Sequence, residues 1–379
     1  MKPNHTFPQW PGPWFWGLFL VALLMLLAAG CGSPEAEKEY GGPDTGPAYG
    51  DLLIDASIGD ASTLIPPLAS DAASHGVAAL IYNGLVKYDG DLNLVGDLAE
   101  SWDISPDGLV ITFKLRRGVK WHDGAPFTAH DVMFTYQTMV DPKTPTAYGE
   151  DYKQVKKAEV LDDYTFRVTY PKPFAPALGS WTLAILPKHL LAGQEITQSP
   201  LARRPVGTGP FIFQDWQAGD KIILSYNPDY FEGRPYLNGY IYLVKPDLAT
   251  MFLELKAGNI DRMGLTPLQY ERQTAYDKFQ RLFNKYKYVS FSYTYLGYNL
   301  EDPRFADRRV RQALTHAINK REIVDGVLLG LGQEATGPYK PGTWFSNPDV
   351  SKFPYDPEKA KALLAEAGWR PNSRGCLLY

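Results

Sequence analysis

A mixed class, α/β or α+β, is what this sequence predicts, and three observations carry it. Period-2 apolar segments and capped amphipathic helices intermix along the whole chain, with no internal repeat. Of 379 residues, 45% are hydrophobic and 21% charged, the balance of a globular body with a substantial core. That length holds more than one domain, since domains favour ~100–150 residues.

The elements follow in order. Leu52-Leu53-Ile54-Asp55-Ala56-Ser57-Ile58 predicts the first strand, and Pro66-Pro67 breaks the chain after it. A helix is expected over Ser74 to Tyr82, with short strands around Leu85–Tyr88. Asp107-Gly108 marks a turn. The strand after it places Leu109, Ile111, Phe113 and Leu115 on one buried face. Thr128 and Asp131 form a capping box for a helix carrying Val132, Tyr136 and Met139. Tyr164 to Tyr170 alternates as a strand and is closed by Pro171. Gly207-Thr208-Gly209-Pro210-Phe211 is a turn entering a strand. Asp247 caps a helix with Leu248, Phe252 and Leu255, which Gly258 stops. Val289 to Asn299, aromatic and β-branched, predicts a strand. Asp307 then caps a helix presenting Val310, Ala313, Leu314, Ala317 and Ile318. Asn319 and Glu322 start another with Ile323, Val324, Val327 and Leu328. Asp356-Pro357 opens a last helix with Leu363, Leu364 and Ala367, ended by Gly368.

The N-terminal segment belongs to export rather than to the fold. Lys2 is followed by an apolar stretch from Trp14 through Leu27, and Leu26-Leu27-Ala28-Ala29-Gly30 precedes Cys31. A positive start, an apolar stretch and small residues before a cut site make a secretory signal peptide. The cysteine sharpens this to a lipoprotein, whose thiol takes a diacylglycerol and becomes the mature N-terminus. The competing reading, an uncleaved anchor, asks for ~20 apolar residues, slightly more than Trp14 to Gly30 supplies. Ser33 to Gly50 has hardly any large apolar residues, so it is expected to be a disordered tether.

Composition narrows the partners. Net charge is −4 and the Lys and Arg residues are scattered. The concentrated basic footprint of a nucleic-acid binder is missing. There are two cysteines, Cys31 and Cys376, so a lipidated Cys31 leaves no disulfide to hold the fold. The 24 Tyr and 9 Trp suit either core edges or a contact surface, and composition alone does not choose. No metalloprotease helix, nucleophile elbow or phosphate-cradling loop is present. His122-Asp123 and His130-Asp131 suggest a metal pair at first sight. His130, however, begins a capped helix, and no third ligand is nearby in sequence. No enzyme, cofactor or metal is expected.

One series of motifs makes the chain recognisable. Ala99-Glu100-Ser101-Trp102, the run from Leu109 to Trp121, and His122-Asp123-Gly124-Ala125-Pro126-Phe127-Thr128 come first. Gly207-Thr208-Gly209-Pro210-Phe211, Asn227-Pro228-Asp229-Tyr230-Phe231 and Arg309-Val310-Arg311-Gln312-Ala313-Leu314 follow. Tyr355-Asp356-Pro357-Glu358-Lys359-Ala360 through Gly368-Trp369 completes it. In order and spacing, from about Leu52 to Trp369, this resembles the family 5 extracellular solute-binding proteins of peptide and nickel ABC importers.

The resemblance implies a two-lobed periplasmic-binding-protein-like α/β fold with an extra inserted domain. On it, 1–31 is the lipoprotein signal peptide and 32–50 the tether. The first lobe is 51–82 with 183–285, the inserted domain 83–182, and the partial second lobe 286–379. Family members continue well past the helix that ends at Gly368, into a region where peptide binders carry a Trp and an Asp. The expectation is therefore a C-terminally truncated member, a fragment whose second lobe is incomplete and leaves an edge and apolar helix faces unpaired. The resemblance also implies hinge closure over a peptide ligand, delivery to ABC permease subunits, and a monomer lipid-anchored on the outer side of the cell membrane. Ser70, Asp71 and Ala72 match the loop that pairs with extended peptide, and Tyr148 and Tyr295 match tyrosines at the ligand. Trp102 and Trp121 belong to the motifs but are expected in the core. The same scaffold serves nickel chelates, haem or oligosaccharides, or a sensor or chaperone that presents peptides.

Overall fold

The computed structural model describes residues 46–372 and 377–378. Cys31, the signal segment, most of the tether and Cys376 lie outside the described residues. None of the described helices is long and apolar enough to cross a membrane.

The first strand, β1 (Gly50–Ser57), forms where the apolar run predicted it. Among the described strands its ladder neighbour lies far along the chain and is parallel to it. Parallel neighbours need a crossover, because no hairpin can join them. Here the crossover is residues 58–236, and it contains a second sheet. It begins with α1 (Ala72–Ile81), followed by the hairpin β2 (Val86–Tyr88) and β3 (Leu94–Gly96). Next come β4 (Ala99–Ile104) and β5 (Val110–Leu115), then α2 (Ala129–Val140). The strands β6 (Lys157–Asp162) and β7 (Thr165–Thr169) complete an antiparallel sheet in the order β4-β5-β7-β6. Ile111, Phe113 and Leu115 are buried on its inner face, as the alternation demanded. The capping box of α2 is present in both halves, with the Thr128 amide donating to the Asp131 carboxylate at 2.9 Å.

The chain then returns to the first sheet. β8 (Phe211–Gln217), β9 (Lys221–Tyr226) and β10 (Leu237–Val244) are antiparallel to one another, and the order is β1-β10-β9-β8. One continuous core joins both sheets: Ile81, Tyr82 and Leu85 pack with Phe113, Phe166 and Trp181 and with Phe211, Leu224 and Tyr240. The two places where the chain passes between the sheets are bonded to each other. The Leu85 amide donates to Trp181 O at 2.8 Å, and the Ile185 amide donates to Asn83 O at 2.9 Å.

Three of the motifs meet beside this crossing. The Gly207-Thr208-Gly209 strap lies against the C-terminal end of α1, where the Gly209 amide donates to Ile81 O at 2.8 Å. His122 grips the strap with both ring nitrogens: Nε2 donates to Gly209 O at 3.0 Å, and Nδ1 accepts from the Gly207 amide at 3.3 Å. Thr208 donates to the Asn83 side chain at 3.0 Å, and Asn227 donates to Gly209 O at 3.0 Å. His122 is therefore a clip in its neutral form. His130 faces Asp163 at 3.6 Å, so the two sequence-neighbouring histidines serve different partners.

The clip gives stability a pH dependence. Burial holds the His122 imidazole below its ordinary range, against the upward pull of its bond to Gly209 and of Asp123. The unfolded chain then binds the proton more readily, so stability is present above the unfolded value, about 6.5, and is lost as pH falls below it. Urea midpoints of wild type and His122→Gln should differ most above pH 7 and converge towards pH 5. A constant difference would show that His122 contributes nothing by titrating.

Further along, α3 (Leu248–Ala257) is capped by Asp247 and stopped by Gly258 in the left-handed region at φ 76°. It buries Met251, Phe252 and Leu255 against Phe279 and Ala56. Beyond it the outcome departs from two expectations. Val289–Asn299 is not a strand: it runs without regular structure and has no ladder partner among the described residues. Its composition suits a pleated surface, but a strand also needs a neighbour for its backbone groups. The helices α4 (Arg308–Ala317), α5 (Lys320–Gly326) and α6 (Pro357–Glu366) form with the caps foreseen, Asp307, Asn319 and Asp356. The apolar face of α4 is not left bare, because α4 and α6 pack together and bury Val310, Ala313 and Ala360. His316 fills the same seam and bonds Pro354 O through Nδ1 at 2.6 Å. Ala317 and Val327, expected on apolar faces, are exposed.

Candidate ligand site

The predicted loop Ser70–Ala72 is the head of α1, which starts two residues earlier than its periodicity indicated. Asp71 is the reason. Its carboxylate accepts from the Ser74 amide and the Ser74 hydroxyl, each at 2.7 Å, and from the Ser62 hydroxyl at 2.6 Å. Burial pushes this carboxyl up, but the bonds from Ser62 and Ser74 outweigh it and hold it below the usual range. Asp71 thus caps the helix and ties the preceding loop to it, while Ser70 and Ala72 are exposed beside it.

One turn into α1, His75 brings Tyr148 to this helix end. The Tyr148 hydroxyl lies 2.7 Å from His75 Nε2, and the two rings stand edge-on at 5.7 Å. They line a hollow of about 530 Å³ with Glu150, Asp151, Ser180 and Thr182. Tyr152 also lines it: buried, it donates to Ser180 O at 2.8 Å, and burial keeps its phenol protonated. Glu150 is paired with Lys153 at 2.6 Å. The hollow offers a phenol, an imidazole, two hydroxyls and the Asp151 carboxylate, which accepts from the Ser180 hydroxyl at 3.4 Å, a set that suits hydrogen bonding more than a strong charge.

Tyr295 lies elsewhere. It is 74% exposed and, with Tyr293 at 5.5 Å between ring centroids, lines a separate hollow of about 900 Å³ within residues 288–341. Tyr288, Tyr298 and Tyr339 contribute to this lining, and no lining residue is shared with the first hollow. Lys340 sits over the Phe291 ring at 4.8 Å, and the Lys320 ammonium bonds Phe353 O at 3.1 Å. The structure therefore brings Tyr148 to the helix that Ser70–Ala72 begins, through His75, and sets Tyr295 in an aromatic lining of its own. His75 escaped the sequence reading. Its signal was its place four residues after Asp71, one turn along the same helix. Trp121 is buried and Trp102 half-buried against the core, away from both hollows.

Comparison with known proteins identifies the family. The model of the bacterial extracellular solute-binding proteins, family 5 middle, matches residues 93–377. The chain is 37% identical over 368 residues to the oligopeptide-binding protein AppA of Bacillus subtilis, covering 93% of this chain and 65% of that protein. It thus spans a little under two thirds of that relative's length. The structure of AppA in complex with a nonapeptide superposes with a TM-score of 0.79 at 35% identity, over 88% of this chain and 67% of that one. NikZ of Campylobacter jejuni, in complex with Ni(L-His), superposes with a TM-score of 0.78 at 30% identity, over 86% and 65%.

Proposed function

This chain belongs to the bacterial extracellular solute-binding proteins of family 5, and on that premise we propose that it captures di- or oligopeptides between two lobes and delivers them to an ABC permease. The observation that carries the proposal is the hollow at the head of α1. There the Tyr148–His75 pair lines the hollow, one turn along the helix that Ser70–Ala72 begins. Such a site binds groups that every peptide offers, so affinity comes from the backbone and sequence is tolerated. The aromatic hollow around Tyr295 supplies apolar area for side chains, in keeping with mostly apolar ligand sites. The first lobe is assigned to 51–82 with 183–285, the inserted domain to 83–182 and the second lobe to residues from 286. The role is capture without covalent chemistry, by hinge closure that the ligand drives through contacts of the closed state.

Calorimetry against a mixed set of short peptides is the test. Several peptides are expected to bind with affinities within about tenfold of one another, a spread of ~1.4 kcal/mol. Binding of a single compound with every peptide silent would overturn the proposal. The likeness to the nickel-loaded NikZ favours a second reading, a metal chelate, which the same titration with Ni-histidine separates.

We assign Cys31 as the lipidated mature N-terminus, on the small residues before it and the polar stretch after it. Acyl chains contribute ~0.8 kcal/mol per buried CH₂, so loss of the anchor is a large effect. Cys31→Ser should move the protein out of the membrane fraction or stall its processing. Normal processing with unchanged membrane association would contradict the assignment.

A further inference from the structure

We infer that the His75–Tyr148 pair sets the polarity of the hydrogen bond that the first hollow offers its ligand, and that it presents an acceptor to a peptide N–H. The inference rests on the peptide reading above and goes on to name the group recognised. Tyr148 and His75 share one hydrogen bond at 2.7 Å, and both line the hollow. With the imidazole neutral and Nε2 unprotonated, the phenol proton points at His75. The free lone pairs of the Tyr148 oxygen then face the hollow and suit an N–H donor. With the imidazole cationic, Nε2–H donates to Tyr148 instead, and the phenol proton turns towards the ligand. A donor would then meet a donor.

The charged and titratable groups around the pair are few. On α1 the nearest is Asp71, engaged with Ser62 and Ser74. Residues 147–152 contribute Glu150, paired with Lys153, together with Asp151 and the protonated Tyr152. Residues 179–183 contribute hydroxyls but no charge. Nothing in this surrounding reproduces the reversal that His75 gives.

The experiment is calorimetry of tetra-alanine with the full chain in detergent at pH 8 and pH 5.5, for wild type, His75→Gln, His75→Phe and Tyr148→Phe. The Gln amide oxygen accepts from Tyr148 at either pH. Wild-type affinity should fall by about 3- to 10-fold on acidification beyond any fall in His75→Gln, the worth of one hydrogen bond. At pH 8, His75→Phe and Tyr148→Phe should each bind about 3- to 10-fold more weakly than His75→Gln. Parallel pH profiles for wild type and His75→Gln would overturn the inference, as would wild-type affinity in Tyr148→Phe. If wild type binds no peptide at either pH, the peptide reading falls and takes this inference with it.

Discussion

Gly207→Ala is expected to destabilise the protein by about 3 kcal/mol or more, near the upper end for one methyl group. A Cβ at Gly207 would sit 1.9 Å from Ile81 O and 2.6 Å from its carbonyl carbon. Both are backbone atoms at the end of α1, and neither can swing aside as a flexible side chain would. Relief requires the strap to move, which breaks the His122 amide bond to Gly207 O and the Gly207 amide bond to His122 Nδ1. Gly76, in the exposed middle of α1, has nothing within 4 Å of its Cβ position. Gly76→Ala should therefore stabilise by about 0.5–1 kcal/mol, from helix propensity and reduced unfolded-state entropy. Urea midpoints of the two variants should move in opposite directions. A Gly207→Ala protein as stable as wild type would mean that the strap is not held as described.

The same clip explains what the motifs encode. His122-Asp123-Gly124, Gly207-Thr208-Gly209 and Asn227 are far apart in sequence, and all converge on Gly209 O or on its neighbours. Their residue types follow from that geometry: glycines where a Cβ cannot fit, and an imidazole that donates and accepts at once. Motif recognition therefore located the fold more securely than the ligand site, because these motifs hold the two sheets together.

Local signals were the legible part. Thr128 with Asp131, Asp247 with Gly258, and Asp356-Pro357 fixed helix ends within the chain's own near neighbourhood, and each formed as expected. The alternation of Ile111, Phe113 and Leu115 fixed a buried strand face in the same way. Pairing was not legible. Nothing local says that β1 takes β10 as its parallel neighbour, or that 289–299 finds no ladder partner among the described residues. At the candidate site the loop and Tyr148 were reached through resemblance. His75 meets Tyr148 through a distance of 2.7 Å across 73 positions, and no periodicity reports that contact.

Trp181→Ala is the second large effect, expected to cost about 3–5 kcal/mol, as for other buried aromatic-to-alanine changes. The side chain is fully buried and meets Phe113, Tyr152 and Phe166 at ring-centroid distances of 5.7, 5.2 and 5.3 Å. These neighbours belong to the sheet of residues 99–169 and the segment beside it. The Trp181 carbonyl meanwhile accepts from Leu85 at the crossing towards the other sheet. Loss of the ring thus opens a cavity where the two sheets share a core. Because that core is continuous, unfolding should remain a single transition, shifted to lower denaturant, rather than splitting into two. Trp181→Phe keeps a ring in place and should lose less. Trp344→Ala, whose ring is 78% exposed, should stay within about 0.5 kcal/mol of wild type. Two separate transitions in Trp181→Ala, with the first at the wild-type midpoint, would show that the sheets fold independently and that the shared core does not couple them.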